Sequence, residues 1–123
     1  KVDSFIQKRR KLAKLYQKQL ENTSLFLPQI SKIHFEVFHL YTVYHPKRDL
    51  IVHELKKKGI QTRVIYPYPI HKMKAYKNYF NKKKFKKSEI KSRGIFSLPL
   101  YPELNETEVK KICKILTKIL NNV

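Results

Sequence analysis

Apolar residues recur at helical spacing near the start of the chain, at Phe5, Ile6, Leu12, Ala13, Tyr16 and Leu20. The spacing predicts an amphipathic helix over residues 3–20, with Ser4 and Gln7 placed as a capping box. Residues 22–28 read as a connector. The stretch 33–44 is rich in β-branched, aromatic and histidine side chains, which predicts a strand over 38–44 that Pro46 breaks. His39 and Tyr41 would then share one face of that strand, as a packed core pair. Asp49 can charge the first turn of a helix through Lys58, with Leu50, Ile51 and Leu55 inward. Gly59 stands where such a helix needs a left-handed terminator. A second strand is expected at 61–65, then a lysine-laden loop with a short helical turn at 72–87. A short helix at 88–93 ends at Gly94, and a third strand at 95–98 is closed by Pro99. Asn105 with Glu108 forms another capping box. It opens a helix that keeps Val109, Ile112, Cys113, Leu116, Ile119 and Leu120 on one face. The order predicts an α+β fold: a three- to four-stranded, largely antiparallel sheet with helices packed on one side, and residues 1–123 as a single domain.

Charge changes this picture most. The chain has 28 Lys+Arg against 9 Asp+Glu, a formal +19 over 123 residues. Such a balance attracts nucleic acid or another polyanion through counterion release. Only 5 of the 28 are arginine, however, and base readout and bidentate phosphate recognition favour arginine. A solvated lysine-rich surface and a basic nucleic-acid-binding module therefore both remain open on composition. The single cysteine, Cys113, excludes an internal disulfide framework and suits a reducing, cytoplasmic compartment. No apolar run approaches the ~18 residues of a membrane span, so no membrane partner is expected. Lys1 in place of a starting methionine reads as a piece of something longer.

Candidate chemistry is sparse. His34, His39, His45, His53 and His71 lack the carboxylate or cysteine spacing of a metal site, so none is expected. With only Gly59 and Gly94 there is no glycine-rich phosphate loop. Cys113 sits on an apolar helical stripe, as a buried structural thiol would. The run KNYFNKKKFKK at 77–87 interleaves rings with lysines, as a nucleic-acid surface or an ordinary solvated loop does. The stretch TRVIYPYPIH at 62–71 stands apart. Pro67 and Pro69 fix φ and remove two donors, so the chain leaves a strand there through a stiff corner presenting Tyr66, Tyr68 and His71.

Taken together, these motifs resemble the C-terminal small domain of the DegT/DnrJ/StrS family of sugar aminotransferases. The resemblance covers nearly the whole chain. It rests on HLYTV at 39–43, Arg48-Asp49 opening a helix, GIQT at 59–62, the Tyr66-Pro67…Pro69…His71 corner and SLPLYPEL at 97–104. Glu89 falls at the family's spacing before that last motif, and QKRRKLAKLYQKQL at 7–20 is similar to the helix entering the domain. Ile65 departs from the histidine that usually precedes the Tyr-Pro, and the basic 77–87 loop departs from a less basic one.

The resemblance implies pyridoxal 5'-phosphate as cofactor. It also implies amino transfer from an amino-acid donor, commonly glutamate, to a keto sugar carried on a nucleotide. The Schiff-base lysine and the carboxylate facing the pyridine nitrogen would belong to a large domain that this chain lacks. The chain alone is thus expected to be inactive, with no catalytic residue and no cofactor of its own. The full-length protein is expected to be a homodimer. Tyr66 and His71 are the substrate-binding candidates, facing the sugar nucleotide across one wall of the cleft. The alternatives are a purely structural corner, a nucleic-acid-binding module (which the resemblance disfavours) and a non-catalytic fragment.

Overall fold

The computed structural model describes residues 1–31, 33–80 and 83–123. Helix α1 spans Val2–Leu20, and its inward stripe of Leu12, Ala13, Tyr16 and Leu20 follows the expected period. The expected Ser4–Gln7 box does not form. Lys1 is the N-cap, and Ser4 lies inside the first turn, where its hydroxyl donates back to the Lys1 carbonyl at 2.9 Å.

Strands β1 (Tyr41–Tyr44) and β2 (Ile95–Leu98) pair antiparallel, with Tyr41 opposite Leu98 and Val43 opposite Phe96. Those four side chains are buried and form the inner face. Among the described residues the sheet has two strands rather than three to four. Phe26 adds one bridge to Tyr44 on one edge, and Arg63 adds one to Ser97 on the other, all antiparallel. Extending the 61–65 pairing by two residues would set Gln61 against Pro99, which has no N–H to give. In the other direction the Arg48 guanidinium lies 3.4 Å from the Ile95 carbonyl, on the side a further ladder bond would use. The predicted strand at 38–44 begins only at Tyr41, after a left-handed turn at Phe38 (φ 48°). That turn leaves His39 exposed, so the expected His39–Tyr41 core pair is absent. Tyr41 stacks instead on Tyr16, centroids 5.0 Å apart. The two hydroxyls reach Gln17 Oε1 (3.1 Å) and the Pro99 carbonyl (2.9 Å), as buried tyrosines require.

Helix α2 (Arg48–Lys57) ends as the glycine predicted. Gly59 at φ 75° lets its own N–H reach the Lys56 carbonyl and the Ile60 N–H reach that of Leu55, with Leu55 and Ile60 both buried. Two short 3-10 turns, Ile70–Lys72 and Lys74–Tyr76, carry the chain toward α3 (Lys86–Gly94), which begins two residues before the expected start. Helix α4 (Glu106–Leu120) opens on the Asn105–Glu108 capping box, its two bonds 2.8 and 3.0 Å long. One core joins the inner sheet face to the apolar stripes of α1, α2 and α4.

Candidate functional site

The corner after Ile65 is rigid because Pro67 and Pro69 fix its backbone, and the turn beyond it closes through the Lys72 N–H on the Pro69 carbonyl at 2.9 Å. Its residues part company there. Tyr66 and Tyr68 stand 63% and 65% exposed, whereas the His71 side chain is only 7% exposed. Among the described residues Tyr66 makes no side-chain hydrogen bond, leaving its hydroxyl open to solvent. His71 turns the other way, onto α3.

There, Glu89 gathers two cationic or polar partners. His71 Nε2 lies 3.0 Å from Oε1, and Lys72 Nζ lies 2.7 Å from Oε2. An ionised carboxylate only accepts, so the histidine tautomer with hydrogen on Nε2 is fixed by this contact. The hydrogen bond from Lys72, then that from His71, holds the Glu89 carboxyl down at about 2. It is therefore charged at any ordinary pH. Glu89 also sits in the first turn of α3, where the helix dipole favours a negative charge. The imidazole is wedged by Phe85 (4.8 Å between centroids) and Phe80 (6.3 Å), and those two rings meet edge to face at 5.7 Å. Glu89 is the hub, and beyond spacing a further signal could have found it: it is the sole carboxylate between Glu54 and Glu103. Lys72 was not singled out, because nothing distinguishes it from its many lysine neighbours along the chain.

A second polar cluster locks the turn between β1 and α2. Buried His45 accepts the Lys47 N–H on Nδ1 at 3.0 Å, so its proton is on Nε2, which faces Ser24 Oγ at 3.3 Å. Burial, helped by the Lys47 charge, lowers its pKa. Next to it, the Arg48 guanidinium donates to Asp49 (2.8 Å) and to the Ser92 carbonyl (2.7 Å) in the last turn of α3. These residues are a joint rather than a reaction centre. Cys113 is buried in the core, and burial pushes its thiol up to about 12, far from a nucleophile's range. Among the described residues no three His, Cys, Asp or Glu side chains could hold a metal ion, and no helix is long and apolar enough to cross a membrane.

Among the described residues no lysine fits a Schiff base with pyridoxal phosphate. A lysine that condenses with a carbonyl needs a desolvated pocket to be a free amine near neutral pH, and every described lysine is exposed.

The fold matches about a third of the chain in each of two solved structures. The X-ray crystal structure of S. venezuelae DesV in complex with ketimine intermediate superposes with a TM-score of 0.86 at 27% identity, over 98% of this chain and 33% of that one. Helicobacter pylori PseC, an aminotransferase involved in the biosynthesis of pseudoaminic acid, gives 0.85 at 28% identity over 97% and 33%. In sequence, the dTDP-3-amino-3,6-dideoxy-alpha-D-galactopyranose transaminase of Aneurinibacillus thermoaerophilus is 30% identical over 117 residues, 95% of this chain and 32% of the relative. Residues 1–117 match the model of the DegT/DnrJ/EryC1/StrS aminotransferase family, and the chain belongs to that family. It spans about a third of the length of the curated relatives it matches.

Proposed function

We propose that the chain is the small domain of a pyridoxal-phosphate-dependent aminotransferase acting on a nucleotide-linked keto sugar, and that it closes one wall of the active-site cleft. The observation that carries this reading is the family match across residues 1–117, joined to the same fold in solved aminotransferases three times as long. The cofactor would supply the electron sink for amino transfer from an amino-acid donor, held by the part of the protein outside this chain. The full-length enzyme would be a cytoplasmic homodimer, and residues 1–123 by themselves would not turn over.

Within that wall the two corner residues take different tasks. Tyr66, exposed and without a side-chain partner among the described residues, offers its hydroxyl to the sugar nucleotide. His71, pinned between Glu89 and Phe85, is a positioning residue: it holds the corner at a fixed height above α3. The test is steady-state amino transfer by the full-length enzyme. Tyr66→Phe should lower kcat/KM roughly ten- to a hundredfold, the scale of one hydrogen bond to a charged group, with the melting temperature unchanged. His71→Ala should raise KM and also lower the melting temperature, because its ring packs as well as bonds. Placing histidine at position 65, where Ile65 is 39% exposed beside Tyr66, should alter KM. Wild-type kinetics in Tyr66→Phe and in the Ile65→His variant would reduce the corner to a turn.

A further inference from the structure

Between residues 72 and 93 the chain carries ten lysines or arginines and a single carboxylate, Glu89. The fold gathers part of that run: Lys72, Lys74, Lys77, Lys83 and Lys84 stand around one open hollow beside α3. Glu89 already accepts from His71 at 3.0 Å and from Lys72 at 2.7 Å, so it offsets Lys72 and leaves the other four charges standing. Among the described residues none of those four makes an ion pair. Apolar and aromatic groups alternate with them along the chain. Tyr79 is 80% exposed, Ile70 62% and Tyr76 47%, and the two tyrosine rings lie 6.4 Å apart. Phe80 and Phe85 pack on each other and on the His71 ring, which anchors the segment to α3.

The chemistry of these groups selects the partner. Lysines are point charges on flexible stems, suited to a spread of anions more than to one ligand of fixed fork geometry. A single-stranded nucleic acid needs a basic groove with rings set as successive stacking platforms. Here the lysines encircle a hollow, and Tyr76 and Tyr79 are tilted 51° to each other. An anionic bilayer asks for neither groove nor platform. Its negative surface potential attracts lysines held close to it, and tyrosine settles at the headgroup level with its ring toward the apolar side.

We infer that this segment is a docking surface for an anionic phospholipid bilayer, held by Lys74, Lys77, Lys83 and Lys84, with Tyr76, Tyr79 and Ile70 at the headgroup level. The hold is peripheral and not a span, since no described helix is long and apolar enough to cross. Neither Tyr66 nor Tyr68 walls the hollow, so the surface and the corner can serve different partners.

The chain as it stands is sedimented with vesicles of phosphatidylcholine alone and of phosphatidylcholine carrying about 30% phosphatidylglycerol, at about 50 and about 150 mM salt. It should bind the anionic vesicles saturably, ignore the neutral ones, and bind more weakly at the higher salt. The double variant Lys83→Ala/Lys84→Ala should weaken binding roughly twenty-five-fold at the lower salt, about fivefold for each lysine near a charged surface, with an unchanged melting temperature. The double variant Lys14→Ala/Lys18→Ala, which removes the same charge from exposed positions on α1, should leave binding nearly unchanged. Tyr76→Ser/Tyr79→Ser should weaken it severalfold at both salts, because screening acts on charges and not on buried rings. No binding to the anionic vesicles, equal partition onto the neutral ones, equal losses in the two lysine variants, or full binding by the tyrosine variant would each overturn the inference. So would a single-stranded oligouridylate that strips the chain from the vesicles at equal phosphate concentration, which would put a nucleic acid in place of the bilayer.

Discussion

Gly94 ends α3 where β2 begins, and a Cβ placed on it would lie 2.7 Å from the His45 carbonyl oxygen and overlap the Tyr44 ring. The ring could rotate aside, but the carbonyl belongs to backbone fixed by two further bonds. The His45 N–H donates to the Gly94 carbonyl at 3.0 Å, and the Arg48 N–H donates to the His45 carbonyl at 3.1 Å. Gly94→Ala must therefore push β1 and the end of α3 apart. Overpacking of this kind costs about 1–3 kcal/mol. Helix propensity returns at most ~1 kcal/mol, and less at a last helical residue. The net loss should be about 1–2 kcal/mol, or roughly 4–10 °C in melting temperature for a chain this long. Urea unfolding at constant slope measures the loss, and amide exchange of His45 reports where it falls. Gly59→Ala is the contrast: nothing lies within 4 Å of its Cβ, so its cost comes only from φ 75° and should leave His45 protection intact. A Gly94→Ala protein as stable as wild type, with His45 still protected, would refute the steric reasoning.

Two further predictions concern the joint between β1, α2 and α3. Arg48→Ala strips donors from the Ser92 and Ile95 carbonyls and should cost about 2–4 kcal/mol by chemical denaturation, and Arg48→Lys should recover little, lacking the planar fork. His45 has a folded-state pKa below its ordinary 6.5, so below that pH the unfolded chain binds its proton first. Its stabilising contribution is thus complete above about 6.5 and declines as pH falls through the lowered folded value. Urea midpoints measured across that range should fall with pH in wild type, and His45→Asn should flatten that arm; an unchanged slope would contradict the neutral, Nδ1-accepting ring.

Much of the architecture could be read from local chemistry. Helices α1, α2 and α4, the Asn105 cap and the Gly59 terminator are set by residues within a turn of one another and stand close to where periodicity placed them, although the Ser4–Gln7 cap does not form and α3 starts two residues early. The sheet was harder to read because pairing depends on distant partners. Arg63 and Ser97 meet across more than thirty residues, and Pro99, without an N–H, stops their ladder on one side. Phe38 has an ordinary strand composition around it, and only tertiary packing selects its left-handed turn. At the corner, the family resemblance supplied Tyr66 and His71 together as substrate-binding candidates, from one rigid stretch. The structure separates them, since His71 follows Pro69 into a 3-10 turn that swings its ring onto α3. Glu89 was marked by the family's spacing alone, and its bonds to His71 and Lys72 were not legible in the sequence.

The most direct measurement of the central claim is reductive trapping. The full-length protein and the 1–123 chain are each incubated with pyridoxal phosphate, reduced with borohydride, digested and mapped by peptide mass spectrometry. The expected result is one stoichiometric phosphopyridoxyl-lysine in the full-length protein, at a position outside this chain. The isolated chain, whose described lysines are all solvent-exposed, should show only scattered substoichiometric labelling. A single lysine within residues 1–123 labelled to completion, in either sample, would contradict the assignment of this chain as a domain that shapes the cleft without holding the cofactor.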